Sequence, residues 1–308
     1  MRRALLPLLA CLAILAPVLA TGGSSAVAAV PVSSAAAPRT TVATAVSPVR
    51  SSWSTSFTAG WAPYGNCGVP VAQLDTQSYA ALNQYSYSGA AGQYAGGKNC
   101  GRMITVTVGE TCVGGSHRTG TVSTGFCVGG KLVMDKYYGA TQTFVIADSC
   151  PDQNNWCRKD AYHLDLAKPA LAKFVKNGTV MTGLGAAWAN RKVTWSFVSA
   201  PKYTGDLKIG FRRDSQKYWT SVLFTHLQNG ISGVKYYQNG KWIAAKTSGS
   251  VGQAYELGAT VAGGNKFRVQ VTDALGKPVK GGASYNFSFP TSCKVKCTAA
   301  YTAVSYTH

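Results

Sequence analysis

A mainly β chain whose folded part divides into two successive β-rich blocks is what the sequence predicts, on three observations. Short alternating runs, such as Met103-Ile104-Thr105-Val106-Thr107-Val108 and Thr143-Phe144-Val145-Ile146-Ala147, have the period-2 pattern of strands. Glycines and polar turn residues bound each run. No convincing helical pattern follows about residue 180, so helices, where they occur, belong to the first block.

Taken in order, Trp53 onward is Gly-, Tyr- and Val-rich, and its helical stretches are short. The spacing predicts one helix over Ser78 to Asn83. A second is predicted over Leu166 to Lys176, where Pro169 sits near the start and Asn177-Gly178 supplies the stop. A second series of strands begins near Val193 and continues through Leu207–Phe211, Ser221–Phe224, Val234–Tyr237 and Phe267–Val271. Between two of its strands lies Asn239-Gly240, a strong short-range hairpin signal. A purely strand-built second half reads as a β-sandwich, and the change of character places a boundary near Ala200-Pro201.

The two ends bound the rest. Met1-Arg2-Arg3 is followed by an apolar stretch from Ala4 to Ala20 that ends in small residues, the form of a signal peptide. A membrane anchor fits less well, since a span needs about 20 apolar residues and this run contains Pro7 and Pro17. Export is therefore expected, with residues 1-20 as leader. Residues 21-52 are rich in Ala, Ser, Thr, Val and Pro and read as a flexible lead-in. A barrel-like first domain is expected over 53-199, the sandwich over 200-290 and a disulfide-bearing tail over 291-308. The formal charge is +19, from 30 Lys and Arg against 11 Asp and Glu. Loss of Arg2 and Arg3 with the leader removes two of those charges, and the strongly basic remainder favours anionic surfaces such as acidic wall polymers. Charge alone does not choose the partner, and nucleic acid is set aside.

With Cys11 in the leader, eight cysteines remain: Cys67, Cys100, Cys112, Cys127, Cys150, Cys157, Cys293 and Cys297. An even set in an exported chain reads as a disulfide framework. Loop closure favours near neighbours, which pairs Cys112 with Cys127, Cys150 with Cys157 and Cys293 with Cys297, and leaves Cys67 with Cys100 by elimination. Zinc is the rival for Cys150 and Cys157, but the spacing is wrong for a zinc knuckle. No metal and no cofactor are expected.

The most informative segment runs Val145-Ile146-Ala147-Asp148-Ser149-Cys150-Pro151 and then His163-Leu164-Asp165-Leu166-Ala167. It puts one aspartate at a strand end and another at the start of the expected helix. Two carboxylates facing one cleft suit glycan chemistry. Equally, Asp148 would stabilise its own turn and Asp165 would cap a helix, and the residues alone leave both readings open.

These residues resemble the expansin pattern of an aspartate before Cys-Pro, a cysteine-bearing loop and a His-Leu-Asp-Leu block. Gly65-Asn66-Cys67-Gly68-Val69-Pro70 and Tyr94-Ala95-Gly96-Gly97-Lys98-Asn99-Cys100-Gly101 are similar to the same family's first domain. Val198-Ser199-Ala200-Pro201-Lys202-Tyr203-Thr204-Gly205 resembles its domain junction, and Tyr218-Trp219, Asn239-Gly240-Lys241-Trp242 and Val271-Thr272-Asp273 fall where its second domain has comparable motifs. The resemblance implies a six-stranded double-psi β-barrel followed by an immunoglobulin-like carbohydrate-binding sandwich. It also implies a monomer outside the cell that binds cellulose or a related glucan and loosens it without hydrolysis, with Asp165 and Asp148 as the cleft pair.

Family 45 endoglucanases, lytic transglycosylases and small protease inhibitors use the same barrel, so an enzyme or an inhibitor are the rival functions. By resemblance Asp165 stands where those endoglucanases have their general acid. An inverting hydrolase also needs a second carboxylate about 6.5 to 9.5 Å away. The first strand, read as Phe57-Thr58-Ala59-Gly60-Trp61-Ala62-Pro63-Tyr64, contains none, so hydrolysis is not expected. It departs from the family in having Gly60 where a threonine is common, and Thr58 is the nearest replacement for that hydroxyl. Cys150 is the plant-like alternative to a cleft tyrosine.

In the second block Arg212-Arg213-Asp214-Ser215-Gln216-Lys217 leads into Tyr218-Trp219. Aromatic faces stack on sugar rings, and the cations Arg212 and Lys217 reach hydroxyls or acidic neighbours. Adjacent strand residues point to opposite faces, so one of the two aromatics would be core on that reading. By resemblance both belong to a flat binding face. A third aromatic is absent from 247–251, which leaves Tyr255 to complete the platform. Trp242 is read as core, His163 as a structural histidine at the barrel rim and Trp156 as a loop aromatic.

Overall fold

In the computed structural model the described residues are 47–58, 65–84, 92–115, 126–150, 155–189, 191–200, 203, 205–249 and 251–308. The expected leader, most of the lead-in and the segment from Ala59 to Tyr64 lie outside them. Residues Ala43–His308 form one compact unit, and two β structures follow one another within it.

The first is built from β1 (Arg50–Phe57), β2 (Tyr79–Asn83), β3 (Met103–Val113), β4 (Lys131–Val133), β5 (Thr141–Cys150), β6 (Leu164–Ala167), β7 (Val175–Lys176), β8 (Thr179–Val180) and β9 (Arg191–Val198). Six of these close a barrel in the order β3-β9-β1-β6-β2-β5, with β3 pairing back onto β5. The pairs β1–β6 and β2–β5 are parallel and the other four antiparallel, the double-psi arrangement that the resemblance implies. Alternation sets what faces inward: Val193, Trp195 and Phe197 of β9 are buried while Lys192, Thr194 and Ser196 turn outward.

Three expectations are corrected here. Ser78 to Asn83 is not a helix: β2 is a strand hydrogen-bonded on both sides, with every residue buried. Its Ala and Leu favour helix locally, but two flanking strands override that weak preference. Nor is Leu166 to Lys176 one helix, since β6 ends at Ala167, a 3-10 turn covers Lys168–Lys173, and β7 follows. Finally, the first strand starts at Arg50, inside the expected lead-in. Its serine-rich sequence is held by β6 on one side and β9 on the other, and the Phe197 N–H donates to Ser47 Oγ at 2.8 Å.

The second structure packs two sheets around one apolar core. The strands are β10 (Lys208–Arg212), β11 (Thr220–Thr225), β12 (Gly233–Gln238), β13 (Lys241–Ala244), β14 (Lys246–Thr247), β15 (Ala254–Leu257), β16 (Lys266–Thr272), β17 (Tyr285–Ser288) and β18 (Tyr301–Val304). One sheet runs β14-β15-β11-β10-β18 and the other β13-β12-β16-β17. Asn239 and Gly240, both at positive φ, join β12 to β13 as the hairpin signal predicts. The segment 291-308 contributes β18 to the first sheet, and Tyr306 Oη donates to the Leu207 carbonyl at 2.7 Å. It is an integral part of the sandwich.

Disulfides join Cys67–Cys100, Cys112–Cys127, Cys150–Cys157 and Cys293–Cys297, the pairing that loop closure suggests. The first fastens the segment that meets the sandwich. There Gly252 and Gln253 donate backbone N–H groups to the Asn66 and Cys67 carbonyls, and Val69 packs with Leu223 and Ala254. Asp75 of the barrel accepts from His226 Nδ1 at 2.7 Å and from Lys208 Nζ at 3.1 Å. Burial would raise its carboxyl, but hydrogen bonds from His226, Lys208 and Tyr203 outweigh that and hold it below the usual range.

Gly68 sits at φ +83° in this junction, and a Cβ there would lie 2.1 Å from Val251 Cγ1. Gly68→Ala is expected to cost about 2–4 kcal/mol, combining left-handed strain with the collision. Urea unfolding checks this, and an unchanged midpoint would contradict the packing described.

Candidate functional site

Strand register assembles the cleft. On the barrel's outer side Thr55 of β1 pairs with Asp165 of β6, Asp165 pairs with Ala81 of β2, and Ala81 pairs with Asp148 of β5. The row is therefore Thr55, Asp165, Ala81, Asp148, with the smallest side chain in the middle. Leu164 and Leu166 point into the core, which leaves Asp165 facing out. Asp148 reaches the row through a bulge: Ala80 pairs with Ile146 but Ala81 with Asp148, so Ala147 is the extra residue. Without it, alternation would turn Asp148 toward the Ile146 side, into the core.

Asp165 is pushed up to about 6, chiefly by burial and further by the Asp148 charge, against a hydrogen bond from Thr55 that lowers it. Thr55 Oγ1 donates to Asp165 Oδ1 at 3.1 Å and lies 2.8 Å from His163 Nε2. His163 is fully buried, and burial lowers it to about 3, so the ring is neutral. Among the described residues its Nδ1 has no hydrogen-bond partner. A proton placed on Nδ1 would be an orphaned buried donor, whereas a proton on Nε2 is donated to Thr55, whose own proton then goes to Asp165. We assign the Nε2–H tautomer on this ground. His163 is thus more than the rim histidine expected: it fixes the direction of the hydroxyl.

Asp148 is differently placed. It is 7% exposed, and its Oδ1 accepts from the Asn66 and Ser149 N–H groups at 2.7 and 2.8 Å. Burial raises its carboxyl despite both bonds. Gly65 allows the close approach, since a Cβ there would fall 2.7 Å from Asp148 Cγ. Cys150 Sγ is 3.9 Å from Asp165 Oδ2. As a disulfide sulfur it carries no proton and only packs against the carboxyl.

Sequence reasoning finds both aspartates and misses Thr55. It looks for the cleft hydroxyl at Gly60 or Thr58, whereas the hydroxyl comes from a strand that begins earlier. The redefined β1, Arg-Ser-Ser-Trp-Ser-Thr-Ser-Phe, also contains no carboxylate. Asp165 stands mid-strand and caps no helix.

On the sandwich, the Gln216 N–H donates to the Trp219 carbonyl at 2.7 Å, so Tyr218 and Trp219 occupy a tight turn just before β11. A turn escapes strand alternation, which is why both are exposed, Tyr218 by 80% and Trp219 by 44%. They line a groove of about 360 Å³ with Tyr236, Ile243, Lys246 and Glu256. Lys217 is exposed in the same turn and Arg212 is half-buried on β10; neither lines the groove. Two aromatic expectations are corrected. Tyr255 is 4% exposed and packs on Phe224 inside the sandwich, so it cannot complete a platform. Trp242 is not core: it is 39% exposed on β13, an edge strand exposed throughout. Trp156 packs against Phe126 at 4.4 Å in the short helix α1 (Asn155–Lys159).

Two outcomes follow from the electrostatics. A carbon-detected titration should show the Asp165 carboxyl near 6, and Thr55→Val should move it higher by removing the hydrogen bond that lowers it. Because the folded value exceeds the unfolded one of about 3.9, the folded state binds more protons between the two, and the Asp165 contribution to stability is lost as pH rises from about 4 to about 6. The stability difference between Asp165→Asn and the wild type should therefore shift in favour of the variant over that window; a pH-independent difference would contradict the raised value.

No family model matches the chain, and no curated protein matches it. Among solved structures, it is similar to the apo expansin of Clavibacter michiganensis, with 19% identity over 75% of this chain and 89% of that one at a TM-score of 0.49. A point mutant of the Clavibacter michiganensis expansin, in complex with cellohexaose, matches at 18% identity over the same shares with a TM-score of 0.47. The family 45 endoglucanase EG27II, in complex with cellobiose, matches at 20% identity over 49% of this chain and 81% of that one with a TM-score of 0.28.

Proposed function

We propose that the protein is a secreted, expansin-like wall protein that binds cellulose-like glucan and loosens it without hydrolysis. The observation that carries this reading is the inequality of the two cleft carboxyls. Asp165 faces out, with a raised carboxyl and a directed hydroxyl beside it, so below about pH 6 it is a protonated donor to a glycan oxygen. Asp148 is buried and occupied by two backbone donors.

A hydrolase is the reading to weigh against it. Asp165 and Asp148 are two strand spacings apart, a backbone separation of about 9.5 Å, which overlaps the range of inverting glycosidases. A general base, however, must be ionised and in contact with water. Asp148 is nearly shut off from water, with its Oδ1 taken by two backbone N–H groups, and β1, the strand beside Asp165, offers no carboxylate in its place. Among the described residues the cleft has an acid and no water-exposed base, which supports hydrogen-bond exchange with the glycan over bond cleavage.

In this reading Tyr218 and Trp219 anchor the sandwich by stacking on sugar rings. Disulfides, a basic charge and the amino-terminal leader pattern support export, and no helix of the described residues is long and apolar enough to cross a membrane. A protease inhibitor on the same barrel would have no use for the aromatic groove.

Incubation with cellulose and with peptidoglycan should release neither reducing ends nor anhydro-muropeptides. Asp165→Asn should abolish mechanical weakening of wall material while leaving binding intact. Sustained turnover that disappears in Asp165→Asn would overturn the non-hydrolytic reading. The Tyr218→Ala, Trp219→Ala double variant should lose cellulose binding that persists for the wild type in about 1 M salt, where the screening length is about 3 Å. Retained affinity would assign the glucan face elsewhere.

A further inference from the structure

We infer that the outer face of the sheet β13-β12-β16-β17 is a second glycan site, selective for carboxylate-bearing polysaccharide such as a polyuronate. Register lines up its residues across the strands. Trp242 pairs with Tyr237, their rings edge-on at 5.3 Å, and the Arg268 guanidinium lies over the Tyr237 ring, 5.4 Å from its centre. Arg268 pairs with Asn286 and donates through Nε to Asn286 Oδ1 at 2.8 Å, which fixes the guanidinium plane. One row therefore crosses four strands, about 14 Å at ordinary strand spacing, enough for a short run of sugar rings. A groove of about 350 Å³ follows the Tyr237, Arg268 and Asn286 part of the row, also lined by Lys266 and Ser288, with Trp242 standing beyond its end.

Charge selects the occupant. The four strands, Gly-Val-Lys-Tyr-Tyr-Gln, Lys-Trp-Ile-Ala, Lys-Phe-Arg-Val-Gln-Val-Thr and Tyr-Asn-Phe-Ser, contain no aspartate or glutamate. Lys235, Lys266 and Arg268 are exposed on them and share the Tyr237 face by alternation. The Tyr218 groove, by contrast, includes Glu256. With Nε committed to Asn286, Arg268 presents its terminal N–H groups as a planar fork, the geometry that suits a carboxylate. The exposed ring of Trp242 suits a pyranose face. A polyol phosphate offers the charge without the ring, and a neutral glucan the ring without the charge, so a chain of acidic pyranoses matches both features. This site does not depend on the cleft reading or on Tyr218 and Trp219.

The test uses the full mature chain in low salt with four probes: polygalacturonate, its methyl ester, long-chain polyphosphate and cellulose. Arg268→Gln with Lys266→Gln should weaken polygalacturonate binding about tenfold or more, as loss of a charge-assisted pair implies, and leave cellulose binding unchanged. Trp242→Ala should weaken it without altering net charge. Lys168→Gln with Lys173→Gln, two exposed positions on the barrel, matches the charge loss and should cost markedly less. Methyl esterification should abolish the Arg268-dependent part. Equal losses in the two double variants would reduce the effect to net charge and overturn the site. Arg268-dependent binding of polyphosphate as tight as that of polygalacturonate, or no effect of Trp242→Ala, would overturn the uronate assignment.

Discussion

The cleft depends on the double pairing of β2 at Ala81, antiparallel to β6 on one side and parallel to β5 on the other. A strand shifted by one residue exchanges its two faces. For β6 that exchange would bury Asp165 and expose Leu164 and Leu166, and an unpaired carboxyl in an apolar core is costly enough to exclude the shifted state. Core packing and cleft geometry are therefore specified together: the leucines that fill the barrel are what aim the aspartate. The bulge at Ala147 performs the same service for Asp148, correcting an alternation that would otherwise misdirect it.

From that frame the electrostatics follow. Burial raises both aspartates, but the neighbours supplied by topology differ. Asp165 receives a side-chain hydroxyl from a parallel partner 110 residues away, and that hydroxyl is turned by a histidine too deeply buried to carry charge. Asp148 receives two backbone N–H groups that no substitution of a neighbouring side chain can remove, and Gly65 admits them by leaving room. Two chemically identical side chains in one row thereby become a carboxyl raised to about 6 beside a side-chain donor and a buried one held by two backbone N–H groups.

What can be read from the sequence tracks how local the determinants are. Period-2 runs in β3 and β5, the Asn239-Gly240 hairpin and the three near-neighbour cysteine pairs are decided within short stretches, and they agree with the structure. His163-Leu164-Asp165-Leu166 carries its own strand signal, two leucines flanking an aspartate, but the following Lys-Pro-Ala-Leu resembles a helix start and masks it. Tyr79-Ala80-Ala81-Leu82 is neutral to period and gains strand character only from neighbours distant in sequence. Thr55 is legible by no local rule, since its role is created by the parallel register of β1 with β6. The exposure of Trp242 likewise depends on β13 lying at a sheet edge, which the hairpin signal does not reveal.

The basic character of the chain gains meaning only when resolved by face. A formal charge of +19 acts over roughly a Debye length, about 10 Å at 0.1 M, and within that range it attracts any polyanion without ordering it. Ordering requires a fixed donor plane and the local absence of competing carboxylates. The chain has few acidic residues, and three of the described ones near the barrel and the junction are already engaged: Asp135 with Arg191, Asp75 with His226 and Lys208, Asp206 with Lys280. The outer sheet of the sandwich is where cations stand on strands free of acids, beside an exposed indole and a guanidinium held by an asparagine. On the proposed reading, stacking and charge divide the sandwich between a turn-built groove for neutral sugar faces and a strand-built row for acidic ones, and a single small domain can present both because each uses a different structural element to escape burial.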